Sequence, residues 1–139
     1  MKKEWIFKLE DIDNITTEIA LSLEEGTKIF LIGPMAAGKT TLTKSLVASL
    51  GSKDAVTSPT YSLVNEYKLE KAAFLIKHID LYRLNSIEEA LDIDIEDHLY
   101  DSSICIIEWP EIIEPLAPEN VLRLILSVLP NNQRKLVFL

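Results

Sequence analysis

The stretch LIGPMAAGKTTLTK, residues 31–44, sets Gly33 and Gly38 five positions apart and follows them at once with Lys39, Thr40 and Thr41. Residues 33–40 therefore read G-x-x-x-x-G-K-T. Each residue type has a physical reason to be there. A loop that wraps phosphate must turn its backbone N–H groups inward, and glycine permits the crowded or strained positions this requires. A helix opening near Lys39 aims its positive end at the anion. The Lys39 ammonium reaches the outer phosphates of a nucleotide, and the Thr40 hydroxyl suits Mg²⁺. The nucleotide-binding stretch is accordingly Gly33, Pro34, Met35, Ala36, Ala37, Gly38, Lys39, Thr40 and Thr41.

Such a loop holds phosphate but does not place a metal or a water. That needs an acid at the carboxyl end of a neighbouring strand, because ligands of open α/β sheets sit beyond the strand ends. Asp80 ends AFLIKHID and Glu108 ends SSICIIE, so both are candidates for catalysis and for the metal. The plainer reading of Asp80 is a strand-end cap or a partner of Arg83, and that of Glu108 a solvated loop residue; the functional reading is favoured for both. In the loop VTSPTYS, Ser58 and Thr60 offer hydroxyls on either side of Pro59, as a switch segment would. His78 alternates with Asp80 and either lines the site or is a paired, half-buried histidine. Trp109 either covers the nucleotide or fills core. Glu88, Glu89, Asp92, Asp94, Glu96 and Asp97 read as a solvated acidic face.

The elements that must position these groups follow from local pattern. EWIFKLE is a strand. DIDNITTEIALSLEEG, with Ile15, Ile19 and Leu23 four apart, is an amphipathic helix stopped by Gly26. TKIFLIG is an apolar strand feeding the phosphate loop. KTTLTKSLVASLG is the helix after it, with Leu42, Leu46, Val47 and Leu50 on one face and Gly51 at its end. LVNEYKLE and AAFLIKHIDLYRL form an antiparallel hairpin. SIEEALDIDIEDHLYD begins with a serine N-cap and a glutamate three residues on, and gives one or two short acidic helices. SSICIIEW is a buried strand ended by Pro110, and NVLRLILSVLPNNQRKLVFL is two strands around PNNQ. The expected fold class is α/β: a mixed, mostly parallel sheet flanked by helices with antiparallel additions, over residues 1–139 as a single domain.

Composition narrows the function classes. The chain has 139 residues and a net charge of −8, from 22 acids against 14 bases, which repels phosphate backbones and argues against a free-standing nucleic-acid binder. A lone cysteine, Cys105, makes no internal disulfide and reads as a core residue. The apolar runs are far short of a membrane span, and MKKEWIFKLED meets acids too soon for a signal segment, so a cytoplasmic protein is expected. Neither an N-K-x-D guanine reader nor a D-x-x-G switch is present. Three arginines, widely spread, make a poor nucleoside-kinase lid.

GPMAAGKTTLTK, VTSPTYSLVNEY, HIDLYRL and IIEWPE, in this order and at these distances, resemble the TsaE family, formerly YjeE. These are bacterial P-loop ATPases needed to make threonylcarbamoyladenosine (t6A) at position 37 of tRNAs that read codons beginning with A. The resemblance implies the P-loop NTPase fold and a weak, Mg²⁺-dependent ATPase acting with the TsaD and TsaB proteins, and with tRNA only indirectly. It carries over Lys39, Thr40, Asp80 and Glu108, with Glu108 beside Mg²⁺ and Asp80 serving the water or the switch loop. It also carries over the loop around Ser58 and Thr60 as a switch, and Trp109 beside the nucleotide. The chain departs from the family's G-D-L-G-A-G-K-T-T at Pro34 and at Ala36, where a middle glycine is usual. A small-molecule or nucleoside kinase is the alternative reading, and a nucleotide sensor without turnover a third.

Overall fold

A computed structural model describes residues 2–56 and 63–139. Ser58 and Thr60, expected to form a switch segment, lie outside the described residues. Seven strands form one sheet: β1 (Lys3–Lys8), β2 (Lys28–Ile32), β3 (Val64–Lys68), β4 (Leu75–Asp80), β5 (Ile104–Glu108), β6 (Leu122–Leu129) and β7 (Gln133–Phe138), in the order β1-β7-β6-β2-β5-β4-β3. The central strands β6, β2, β5 and β4 run parallel, and β1, β7 and β3 are joined antiparallel. This is the expected mixed sheet, with both anticipated hairpins, β3–β4 and β6–β7, in place.

The two innermost strands, β2 and β5, are buried on both faces, which is why they read as continuous apolar runs. Along β2, Ile29 and Leu31 enter a core shared with helices α1 (Ile12–Ala20) and α2 (Lys39–Ser49). Phe30 between them enters a second core, under helices α3 (Ile87–Asp92) and α4 (Ile95–Tyr100). Cys105 belongs to that second core, and burial pushes its thiol up to about 12, so it is a packing residue. The two helices read from SIEEALDIDIEDHLYD are α3 and α4. Ser86 caps α3 by accepting the Glu89 N–H at 3.2 Å.

α1 ends at Ala20, six residues before the expected stop at Gly26. Ile19 is its last fully buried side chain, whereas Leu21 is 85% exposed. Leu23 still packs against the core, but from the turn after the helix, where the Ser22 hydroxyl donates to the Ile19 carbonyl. α1 fixes α2 through polar as well as apolar contact: Ser45 Oγ lies 2.5 Å from Thr16 Oγ1 and donates to Asp13 Oδ1. That pairing holds α2, and with it the phosphate loop, against the body of the sheet.

Candidate functional site

β2 delivers the chain to Gly33 at the carboxyl end of the parallel strands, and α2 leaves from Gly38. Gly33 passes so close to β6 that a Cβ there would meet the Leu126 carbonyl oxygen at 2.7 Å, so only glycine fits without moving the strand. Gly38 has φ +109°, a conformation side chains rarely adopt. Ala36 also takes a left-handed conformation, φ 61°. An alanine thus holds a conformation that glycine would take freely, at a cost of roughly 1–2 kcal/mol.

Gly38 is the N-cap of α2, and no side chain caps the helix. The first N–H groups of α2 lack intrahelical acceptors and open, with exposed Thr40 and Thr41, onto a cleft of about 500 Å³. Met35, Ala36, Gly38, Lys39, Asp80, Glu108 and Trp109 line the same cleft. An uncapped helix start facing a cavity with a lysine beside it is a donor set that fits a polyphosphate.

Lys39 is only 7% exposed. Its ammonium donates to the Gly33 carbonyl at 2.8 Å, lies 3.9 Å from Glu108 Oε1, and stands 3.8 Å from the centre of the Trp109 ring. Burial lowers its pKa, while Glu108, Asp80 and Glu111 act in the opposite direction. The ring contact contributes up to about 2 kcal/mol in a desolvated setting.

The two acids come together as register neighbours. Asp80 on β4 pairs with Glu108 on β5, and Glu108 pairs in turn with Leu31 on β2. β5 is therefore the strand beside the phosphate-loop strand, a question the sequence left open. Glu108 is 5% exposed, so it is no solvated loop residue. Asp80 accepts the Tyr82 N–H at 2.9 Å, a strand-end cap, and also faces the cleft.

His78 is fully buried, and its Nε2 lies 2.5 Å from Glu108 Oε2. Among the described residues its Nδ1 has no partner. A carboxylate oxygen only accepts, so Nε2 is the donor in this contact. Of the two readings of His78, the structure shows a paired histidine standing behind Glu108. Trp109 sits at φ 55° and is half-buried; it covers Lys39 and packs on Tyr82 with ring centres 5.0 Å apart.

Sequence reasoning missed Leu9, Tyr82 and Arg83, which also line the cleft. Tyr82 and Arg83 were within reach, since they follow Asp80 directly in HIDLYRL. Leu9 comes from a turn before α1 that no pattern in the chain connects with the loop. Glu88, Glu89 and Asp92 of α3, Glu96 and Asp97 of α4, and Asp94 between the two helices do not line this cleft, as expected of a solvated face. Among the described residues no helix is long and apolar enough to cross a membrane.

The chain is similar to known proteins over most of its length. The family model described as "Threonylcarbamoyl adenosine biosynthesis protein TsaE" matches residues 6–136. Proteins named "tRNA threonylcarbamoyladenosine biosynthesis protein TsaE" are 36% identical from Treponema pallidum, over 86% of this chain and 87% of that protein, and 43% identical from Haemophilus influenzae, over 73% and 65%. A third, from Bacillus subtilis, is 28% identical over 93% and 79%. The crystal structure of YdiB from Bacillus subtilis superposes with a TM-score of 0.78 at 23% identity, covering 99% of this chain and 84% of that one, and shows the same fold. The matched span contains the phosphate loop, both strand-end acids and Trp109, and on it the chain belongs to the TsaE family.

Proposed function

We propose that this chain is the ATP-binding and ATP-hydrolysing subunit required for threonylcarbamoyl modification of adenosine 37 in tRNAs reading codons beginning with A, working in the cytoplasm with TsaD and TsaB. The observation that carries the reading is the meeting of Lys39 and Glu108, 3.9 Å apart, at the uncapped start of α2. A buried cation and a buried anion face one cleft whose floor is made of N–H donors. That arrangement suits a triphosphate together with a divalent cation.

Thr40 and Glu108 are the residues that would hold Mg²⁺ directly, with Asp80 reaching it through a water, since hydroxyl and carboxylate oxygens are the ligands a hard cation takes. When bound, Mg²⁺ supplies charge neutralisation on the outer phosphates. The α2 amides bind the phosphate oxygens, and Lys39 exchanges the Gly33 carbonyl for them. Trp109 keeps water from the lysine. Glu108, nearest the phosphate-loop strand, serves the metal. Asp80 orients the attacking water and takes its proton as the water oxygen bonds to the γ-phosphorus, leaving ADP and phosphate. ATP is preferred to GTP, because the chain lacks a guanine-reading motif.

The threonylcarbamoyl transfer belongs to the partners, and hydrolysis by the isolated chain is slow. Phosphate release measured with and without TsaD and TsaB, at equal ATP, tests this. A rate that rises with both partners supports the reading; equal rates, or transfer of the γ-phosphate to a small acceptor, contradict it.

A further inference from the structure

The last strand reaches back beneath the phosphate loop. On β7, Arg134 alternates with Leu136, which lies in the core under α1 and α2, so both side chains point to the face that carries the loop. Arg134 is 8% exposed, and its Nε donates to the Ala37 carbonyl at 2.8 Å across 97 positions of sequence. Its Nη1 donates to the Gln133 carbonyl at 3.2 Å. Both acceptors are neutral, and among the described residues no carboxylate forms an ion pair with this guanidinium. A buried cation without an anion is costly unless an anion arrives to complete it.

The contact also sets a direction. In a trans peptide the carbonyl and the next N–H point to opposite sides. With the Ala37 carbonyl turned toward β7, the Gly38 N–H points away from it, and Gly38 lines the cleft. Ala36 and Gly38, on either side of Ala37, both have positive φ, so the loop's shape hinges on this one carbonyl.

We infer that Arg134 is a positioning residue of the phosphate cradle: it clamps the Ala37 carbonyl, aims the Gly38 N–H at the bound phosphates, and places an otherwise uncompensated positive charge beneath them. The inference rests on the phosphate-cradle reading of residues 33–41. It makes the final strand part of the nucleotide site, although no motif marks it.

The test uses the full chain as Arg134→Met and Arg134→Lys, with Lys39→Ala as control. ATP affinity is measured by calorimetry, and the glycine amides are followed by nuclear magnetic resonance, where the chain has only four glycines. Arg134→Met should weaken ATP about tenfold or more, the loss of one charge-assisted hydrogen bond. It should move the Gly38 amide in the free protein and leave those of Gly26 and Gly51 in place, a pattern that general loss of structure would not give. Arg134→Lys keeps the charge and displaces the donor; it should move Gly38 and weaken ATP less than the methionine does. ATP affinity within twofold of the original in Arg134→Met overturns the inference. So does an unmoved Gly38 amide in Arg134→Lys, which decides the matter even if the methionine variant does not fold. Undiminished ATP affinity in Lys39→Ala would instead overturn the cradle reading itself.

Discussion

Asp80 and Glu108 stand side by side as register partners at the ends of two adjacent parallel strands, yet only Glu108 is tied to a fully buried histidine and to Lys39. Asp80 is bonded to its own turn through the Tyr82 N–H and is less buried. Two neighbouring carboxylates with such different surroundings suit different work. Glu108→Gln should weaken Mg²⁺-dependent nucleotide binding about tenfold or more, because a neutral amide is a poor ligand for a hard cation. Asp80→Asn should keep binding within a few-fold and lose turnover, since shape survives while basicity does not. Affinity with and without Mg²⁺, beside phosphate release in the presence of the partners, reads both effects, and the reverse pattern would exchange the two roles.

The contact between His78 and Glu108 can be imitated. A glutamine amide places its N–H₂ near the position of the histidine Nε2, so His78→Gln should preserve most ATP turnover. His78→Leu leaves the Glu108 carboxylate buried with one donor fewer, at a cost of about 1–3 kcal/mol. It should lower turnover and thermal stability together. In a double-mutant cycle, Glu108→Gln and His78→Leu should fall well short of additive. Full additivity would mean that the histidine acts on something other than Glu108.

Much of this site was legible because its parts are local. The loop, its glycines and its lysine lie within a few residues of one another, and Asp80 and Glu108 each end an apolar run that had to be a buried strand. What stayed hidden depends on pairing between strands. That β5 lies next to β2 was needed before Glu108 could be placed nearest the loop, and no local pattern carries strand order. His78 is 30 positions from Glu108, and Arg134 is 97 from Ala37. In both cases period-2 alternation shows a side chain's face without showing what waits there. The early end of α1 was hidden for a related reason, since Leu23 keeps the helical spacing and still reaches the core, but does so from the turn that follows the helix.

The two tryptophans allow an optical test. Trp109 lies over Lys39 in the cleft, whereas Trp5 sits on β1 and donates to Glu18 at 2.8 Å. Nucleotide that draws Lys39 away from the Gly33 carbonyl must also alter the ring beside it. In Trp5→Phe the fluorescence should still change on adding ATP, and in Trp109→Phe the change should vanish. A signal that follows Trp5 would place the nucleotide elsewhere.

At the opposite end of β2, Lys28 is 4% exposed and donates to Asp101 Oδ1 at 2.8 Å and to the Ser103 carbonyl at 2.7 Å. Lys77 adds a second cation on Asp101 Oδ2 at 2.5 Å. Burial alone would raise the Asp101 pKa, but hydrogen bonds from Lys28, Lys77 and Ser103 outweigh it and hold the carboxyl well below its ordinary value. A depressed carboxylate gives stability that is complete above the ordinary value of 3.8 and is lost as pH falls through the folded value. Asp101→Asn should therefore cost about 2 kcal/mol or more at neutral pH, since it leaves Lys28 buried without its anion. The gap between the two proteins should close only in strong acid. Denaturant melts at neutral pH and in acid check this, and a gap that does not change with pH would contradict it.

The most direct measurement of the whole account is the t6A content of tRNA in cells depleted of their own TsaE protein and supplied with this chain, either unaltered or as Lys39→Ala. Alanine is the better helix former, so the substitution should leave α2 intact while removing the ammonium from the cradle. The account predicts that the unaltered chain restores t6A and that Lys39→Ala, present at equal level and folded, does not. Full restoration by Lys39→Ala would contradict it, because the modification would then proceed without the phosphate cradle on which every step here depends.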